Sequence, residues 1–392
     1  MPEPVVRREF LSFSPPLIGE EEIKEVRDTL LSDWITTGPK TKRFEEDFRR
    51  FIGAPAALAL NSCTAGLHTA LATLGIGRGD AVITTPLTFC ASVNVVEHVG
   101  ARPVLVDVEQ DTLNIDPDRL QQAMEQTQGV RALLPVDLYG HPCEWDAVMG
   151  LARRHNVHVI EDAAHALPAK YRGRAVGTIA DLTAFSFYAT KNLTTGEGGM
   201  LTGAPELLEK ARVLSLHGMS HDGWNRYSAE GSWFYEVVAP GFKYNMTDIQ
   251  AAIGIHQLRK LPRFQARRRE IVRRYNDAFS RYEQLQIPVE RPEVEHAWHL
   301  YVVRLDLDQL TIDRAQFIEE LRARNIGTSV HFVPIHLHPY YRDKYGFKPA
   351  DFPIAYREFQ RIVSLPLHPR MSDADVTDVI DAVTTVVTRH RR

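Results

Sequence analysis

Short apolar runs alternate with helix-patterned segments across residues 56–162. In order they read "AALAL", "TAGLHTALATLG", "DAVITT", "ASVNVVEHVG", "ARPVLVDV", "RALLPVDL", "EWDAVMGLARRH" and "VHVIED". Such alternation leaves few folds open. Strands joined through helices lie parallel, and the helices cover both faces of the sheet. The expectation is an α/β architecture, a mostly parallel sheet sandwiched by helices. Ligands on such sheets bind beyond the carboxyl ends of the strands. Asn61, Ser62, Cys63, Thr64, Thr85, Asp162 and Lys191 all fall at such ends.

Two helical segments precede the alternation, "GEEEIKEVRDTLLS" and "KRFEEDFRRFIG", separated by the polar "DWITTGPKT". Near residue 256 the texture changes to a long charged helix, "LRKLPRFQARRREIVRRYNDAFSRY". A strand in "WHLYVVRLDL", a helix in "DRAQFIEELRARN" and a short strand in "GTSVHF" follow. We read residues 1–255 as a large ligand-binding domain with an N-terminal lead-in. Residues 256–392 read as a smaller α+β domain joined through the helix.

With 392 residues, 44% hydrophobic and 24% charged, the chain suits a globular protein with a large core. A net charge of -4 gives nucleic acid no electrostatic footing. The basic run at residues 263–275 spaces its arginines at helical intervals beside glutamate, as a solvated helix face does. Cys63, Cys90 and Cys143 are too scattered for a disulfide framework or a metal cluster. "MPEPVVRREF" has no apolar leader core, and no segment approaches the length of a membrane span. The expectations are a cytoplasmic location and no membrane, nucleic-acid or metal partner.

The stretch "LTAFSFYATKNLTTGEGGML" contains only two groups that can carry charge, Lys191 and Glu197. A lysine at the end of a buried strand either snorkels outward or is desolvated, so that its neutral amine can attack a carbonyl. Its neighbours bear on the choice. In "NSCTAGLHTAL" a strand turns into a helix, and the free N–H groups of that corner suit a phosphate, although an ordinary Ser/Thr cap reads the same way. "VHVIEDAAHALPAKYRG" puts Asp162 at the sheet edge, where a carboxylate can pair with a protonated ring nitrogen, and His165 about one helical turn further on. Phe89 in "PLTFCAS" can cover a flat ring, and Ser186 can give a hydroxyl to the same anion. The glycines within residues 196–199 let the backbone pass close to a ligand. Each feature has a plain structural reading when taken singly. Together they are the groups that pyridoxal phosphate requires.

Longer motifs run through nearly the whole chain: "DWITTGPKTKRFEEDF", "GDAVITTPLTF", "PVDLYGHP", "FSFYATKNLTTGEGG", "GFKYNMTDIQAAIG" and "GTSVHFVPIHLHPYY". In these the chain resembles the sugar aminotransferases of the DegT/DnrJ/EryC1/StrS family, which are fold-type-I pyridoxal-phosphate enzymes. The resemblance implies that Lys191 is the catalytic, Schiff-base lysine and that Asp162 partners the pyridine nitrogen. It further implies that Cys63, Thr64 and Ser186 hold the phosphate, that Phe89 stacks on the ring and that His165 contacts it. Thr37, Tyr188, Lys243 and His331 are implied to face the substrate. Asn245 is implied to cross a two-fold interface to the cofactor phosphate of a neighbouring subunit, which makes a homodimer with shared sites.

"AHA", "WITTGP", "YKYN" and "HAWHL" are similar to the branch that makes UDP-4-amino-4-deoxy-L-arabinose. The function implied is transfer of the amino group of L-glutamate to the C4 keto group of a nucleotide-linked, UDP-bearing sugar. Amination at C3, a dTDP- or GDP-linked sugar, and a catalytically silent regulatory homologue stay open as alternatives.

Overall fold

The computed structural model describes residues 7–220 and 234–392. Residues 1–6, which open the leader reading, lie outside these, as do residues 221–233. The first part of the chain runs α1 (Glu20–Leu30), α2 (Pro39–Ile52), β1 (Ala56–Leu60), α3 (Cys63–Thr73), β2 (Ala81–Thr84), α4 (Ala91–His98) and β3 (Arg102–Leu105). It continues through α5 (Pro117–Gln126), β4 (Val130–Leu133), α6 (Trp145–His155), β5 (His158–Asp162), the short β6 (Lys170–Tyr171) and β7 (Arg174–Ala175), then β8 (Leu182–Ser186), β9 (Gly199–Gly203) and α7 (Pro205–Ser215). After α8 (Asp248–Phe279) come β10 (Leu285–Gln286), β11 (Val294–Glu295), β12 (Tyr301–Leu305), α9 (Arg314–Arg322), α10 (Pro339–Tyr345), α11 (Pro353–Arg361), β13 (Ile362–Leu365) and α12 (Asp373–His390).

The large sheet has seven strands in the order β1-β9-β8-β5-β4-β2-β3. Pairs among β2, β3, β4, β5 and β8 are parallel, while β9 runs antiparallel to both β1 and β8. Helices α4, α5 and α6 connect β2, β3, β4 and β5 in turn, while β5 reaches its parallel neighbour β8 through the short β6 and β7 with no helix between. β8 instead returns to β9 through a loop, which permits an antiparallel neighbour. That loop carries Lys191.

β8 shows why the run before the lysine is apolar throughout. Leu182 and Ala184 pack with Leu67, Ala70 and Leu71 of α3 on one face, and Phe185 packs with Phe48 of α2 and Ile255 of α8 on the other. Both faces are core.

The C-terminal sheet is β10-β12-β13, antiparallel throughout. Ile271, Val272, Tyr275 and Phe279 of α8 share its core with Val376, Val379 and Val383 of α12.

α8 runs unbroken through residues 255 and 256. Three expectations need correction. Leu11 of the lead-in packs in the C-terminal core rather than with the large sheet. "GTSVHF" makes a single bridge, Ser329 with Ser364, and no strand, because the lead-in takes up the adjoining backbone: Leu11 N–H donates to Asn325 O (2.8 Å) and Gly327 N–H to Leu11 O (2.9 Å). Lastly, the basic run is not wholly a solvated face. Arg268 is 2% exposed and donates to the carbonyls of Trp298, His299 and Leu367. Among the described residues no helix is long and apolar enough to cross a membrane.

Candidate active site

The carboxyl ends of β1, β5 and β8 open into one cavity of about 510 Å³. β1 ends at Leu60, and Ser62 turns the chain into α3 by accepting the Ala65 N–H on its hydroxyl (3.0 Å). The first N–H groups of the helix, at Cys63 and Thr64, lack an intrahelical acceptor and stand at the positive end of the dipole, where an anion can bind. Gly199 sits against this corner. A Cβ there would lie 2.5 Å from the Ser62 carbonyl carbon, so that glycine answers to the protein's own backbone and not to a ligand.

Past β8 the chain is pinned before and after the lysine. Phe187 N–H donates to Gly198 O (2.8 Å), and Thr195 N–H to Phe187 O (2.9 Å). The buried amide of Asn192 donates to Leu167 O (2.9 Å) and Ala297 O (2.8 Å), fixing the backbone next to Lys191. Lys191 is half-buried, walled by protein but open to the cavity. Burial lowers its pKa to about 8, against the opposing pull of Cys63 and Asp162. A measurable fraction of the amine is thus neutral near pH 7.

Asp162 lies in the same cavity. One carboxylate oxygen accepts the Ser92 hydroxyl at 2.7 Å, the other the Ala164 N–H at 3.1 Å. Burial pushes its pKa up, while these hydrogen bonds and Lys191 pull it down. No helix starts at this point, so Asp162 is no helix cap and His165 is not one helical turn away from it; the chain turns irregularly between them.

The His165 ring is buried, and its Nδ1 accepts the Tyr139 N–H at 3.2 Å. Burial, then Lys191, holds its pKa well below the usual histidine range. A neutral ring that accepts at Nδ1 carries its proton on Nε2, available as a donor. His331 is likewise neutral, its pKa lowered to about 4 chiefly by burial, and its Nδ1 lies 2.8 Å from the Ser364 hydroxyl.

Thr64, Phe89, Ser186 and Tyr188 also line the cavity. Phe89 stands at the mouth, 59% exposed, with its ring centroid 5.8 Å from that of Phe332. Cys63 lines it too, but its thiol turns toward Ala184 O (3.5 Å) and Asp162 (3.9 Å), and burial pushes that thiol's pKa well up. Any hold it has on an anion falls to its N–H.

Three expected residues lie outside the cavity lining. Lys243 Nζ donates to Asn245 Oδ1 (2.6 Å), Asn245 Nδ2 to Thr37 Oγ1 (2.6 Å), and Thr37 Oγ1 to Met246 O. Asn245 does not cap α8; Thr247 does, in a reciprocal pair with Gln250.

Sequence reasoning misses Ser92, Tyr139, Asn192 and His299. His299 lines the cavity with its ring centroid 4.5 Å from that of His165. Only its place in "HAWHL" hints at it.

The donor set fits pyridoxal phosphate: helix N–H groups and hydroxyls for a phosphate, a buried carboxylate for a ring nitrogen, and a partly neutral amine for a carbonyl. The comparisons agree. The model of the DegT/DnrJ/EryC1/StrS aminotransferase family matches residues 16–384. SpsC of Bacillus subtilis, a spore coat polysaccharide biosynthesis protein, is 52% identical over 383 residues, 97% of this chain and 98% of its own. The putative sugar aminotransferase Spr1654 from Streptococcus pneumoniae, solved in its PMP form, matches with a TM-score of 0.91 at 38% identity, covering 97% of this chain and 99% of that one. Its PLP form gives 0.90. Helicobacter pylori PseC, an aminotransferase involved in the biosynthesis of pseudoaminic acid, gives 0.90 at 28% identity over 97% of this chain and 100% of that one. With family model, relatives and fold in accord, the chain belongs to the DegT/DnrJ/EryC1/StrS aminotransferase family and is a pyridoxal-phosphate-dependent sugar aminotransferase.

Proposed function

We propose that this enzyme transfers the amino group of L-glutamate to the C4 keto group of a UDP-linked sugar, in the cytoplasm, for a cell-surface polysaccharide such as lipopolysaccharide. The observation that carries a sugar acceptor is the pair of cavity imidazoles that the cofactor does not take up. His299 and His331 are both held neutral, chiefly by burial. Neutral donors and acceptors suit hydroxyl groups, whose burial is tolerated only when they are hydrogen-bonded. The choice of C4 and of UDP rests on the motif resemblance.

When bound, the cofactor carries the amino group between the two substrates and supplies the electron sink. The chain's own residues handle the protons. Lys191, with its pKa near 8, can both take a proton from carbon and return it at neutral pH. Asp162, whose carboxylate oxygens accept from Ser92 and the Ala164 N–H, would hold a proton on the pyridine nitrogen. The His165 Nε2–H would hydrogen-bond the ring's phenolic oxygen. Cys63 and Thr64 N–H with Ser186 would anchor the phosphate, and Phe89 and Tyr188 would close the mouth.

Thr37, Lys243 and Asn245 are assigned to the partner subunit's site in a two-fold dimer, where such sharing is reciprocal. The apolar side chains of Val237 and Val238, 63% and 62% exposed and close in sequence, favour an interface in that region.

The test is incubation of cofactor-loaded protein with L-glutamate and a panel of UDP- and dTDP-linked 4-keto and 3-keto sugars, read by mass spectrometry. The expected product is a UDP-linked 4-amino sugar with release of 2-oxoglutarate. Amination of only 3-keto or only dTDP-linked members would overturn the assignment.

A further inference from the structure

Residues 11–17 precede every helix and strand, yet both parts of the molecule hold them. Gly327 N–H donates to Leu11 O (2.9 Å), and His368 Nε2 lies 3.3 Å from Ser12 O. Further along, Gln257 Nε2 of α8 donates to Leu17 O (2.8 Å). Between these anchors the Ser14 hydroxyl donates to Thr190 O (3.2 Å), the residue just before Lys191.

The anchors bring Phe13 into the cavity wall. Its ring stacks on His331, with centroids 5.4 Å apart and planes at 27°. The Ser364 hydroxyl occupies His331 Nδ1, which leaves Nε2 for a ligand. One wall of the site thus offers a flat apolar face next to a neutral hydrogen-bonding edge. A pyranose has the matching surfaces, C–H groups on its faces and hydroxyls on its rim. Glutamate does not: it brings two carboxylates, which neither ring can neutralise.

We propose that Phe13 is a specificity-determining residue of the sugar half-reaction. The C–H face of the acceptor lies on its ring while His331 hydrogen-bonds the hydroxyls. This rests on the keto-sugar acceptor put forward above. The Ser14–Thr190 hydrogen bond ties the same wall to the loop of Lys191. The lead-in therefore sets how deep the sugar sits relative to the amine, and glutamate, bound without the platform, is indifferent to it.

The test separates the two half-reactions in full-length, cofactor-loaded protein. Phe13→Ala and Phe13→Leu are compared with wild type, first with glutamate and then, from the aminated enzyme, with the keto sugar that wild type accepts. Phe13→Ala should lower kcat/KM for the sugar by about tenfold or more and change that for glutamate by less than about twofold. Phe13→Leu, which keeps apolar area, should recover part of the loss. Equal loss in both half-reactions would make Phe13 a structural prop and overturn the proposal, as would no loss in either. Wild type that turns over glutamate but aminates no keto sugar would sink the acceptor reading itself, and this inference with it.

Discussion

Beneath Asp162 lie two further acids, Asp137 and Glu161, both fully buried. Asp137 Oδ1 accepts the Cys143 N–H at 2.8 Å. Glu161 Oε2 accepts the Gly177 N–H at 3.2 Å and the Thr183 hydroxyl at 2.6 Å. The other oxygens, Asp137 Oδ2 and Glu161 Oε1, have no donor among the described residues. Two carboxyl groups in contact resolve this by sharing a proton. Burial, then repulsion from Glu161, pushes Asp137 well above the ordinary carboxyl range, and burial raises Glu161. Glu161, with two donors, is the better site for the charge. Asp137 then carries the proton.

Asp137→Asn tests this, because its amide can donate to Glu161 and still accept from Cys143 without titrating. The unfolded wild-type chain gives up the Asp137 proton above about pH 4, whereas the folded chain keeps it. With more protons bound when folded, wild type loses stability as pH rises, by about 1.4 kcal/mol per unit, until the folded pair titrates. Above about pH 4 wild type should therefore lose stability relative to Asp137→Asn as pH rises, for as long as the folded pair keeps its proton. Urea unfolding of the cofactor-loaded proteins, followed by circular dichroism at several pH values, measures the difference. Asp137→Ala, which leaves Glu161 Oε1 without a donor, should cost about 1–3 kcal/mol. Parallel pH profiles for wild type and Asp137→Asn would show that the pair holds no extra proton, and the reasoning would fail.

Lys191→Ala should fold normally, since a desolvated cation is removed, and should carry no covalently attached cofactor after borohydride reduction; attached cofactor in the mutant would exclude Lys191 as the point of attachment. In wild type freed of cofactor, labelling of Lys191 by a simple aldehyde should rise with pH through about 8, as the amine loses its proton. Asp162→Asn should keep the cofactor but lower turnover by about a hundredfold or more, and near-normal rates would reduce Asp162 to a structural role. His165→Gln should be tolerated far better than His165→Leu, because only the amide keeps a hydrogen bond; equal damage in steady-state rates would count against contact with the cofactor. Lys191→Ala and Asn245→Asp dimers should both be impaired, and purified mixed dimers should regain activity at the site that combines the intact Lys191 with the intact Asn245. Mixed dimers no more active than either parent would place Asn245 in its own chain's site.

The sheet before Lys191 is readable because its residues obey local rules: "VHVIED", which follows a helical segment, and "LTAFS" are apolar runs of strand length. β9 escapes because "GMLTG" carries glycines at both ends, and Gly199 is required by the Ser62–Cys63 corner, which the chain reaches only after folding. Asp162 stands out as a charge at the end of an apolar strand, and Lys191 as the one cation in the stretch from residue 182 to 201, although it lies in the loop past β8 and not at the strand's end. Ser92, Tyr139 and His299 come from separate elements and meet only in three dimensions, so no spacing announces them. Arg268 is different. Phe264, Arg268, Ile271 and Tyr275 share one face of α8, and that apolar periodicity was available to mark Arg268 as buried.

α8 spans 32 residues, roughly 48 Å. At its start the Asp248 carboxylate accepts the N–H groups of Gly38 (2.8 Å), Lys40 (3.0 Å) and Thr41 (2.8 Å), which sets the first turn of α2. A turn and a half later Gly254 leaves just enough room for the Phe44 ring, which a Cβ would meet at 2.6 Å. Recombination between homologous genes feels this directly. A crossover near residue 255 joins a helix phase chosen by Phe44 to one chosen by the C-terminal core, and a chimera is tolerated only where both parents agree on each. The lead-in adds a second condition, since Leu11 packs in that C-terminal core. The opening residues and the last third of the chain therefore form one unit of exchange, and a shuffled library that separates them should be poor in folded members.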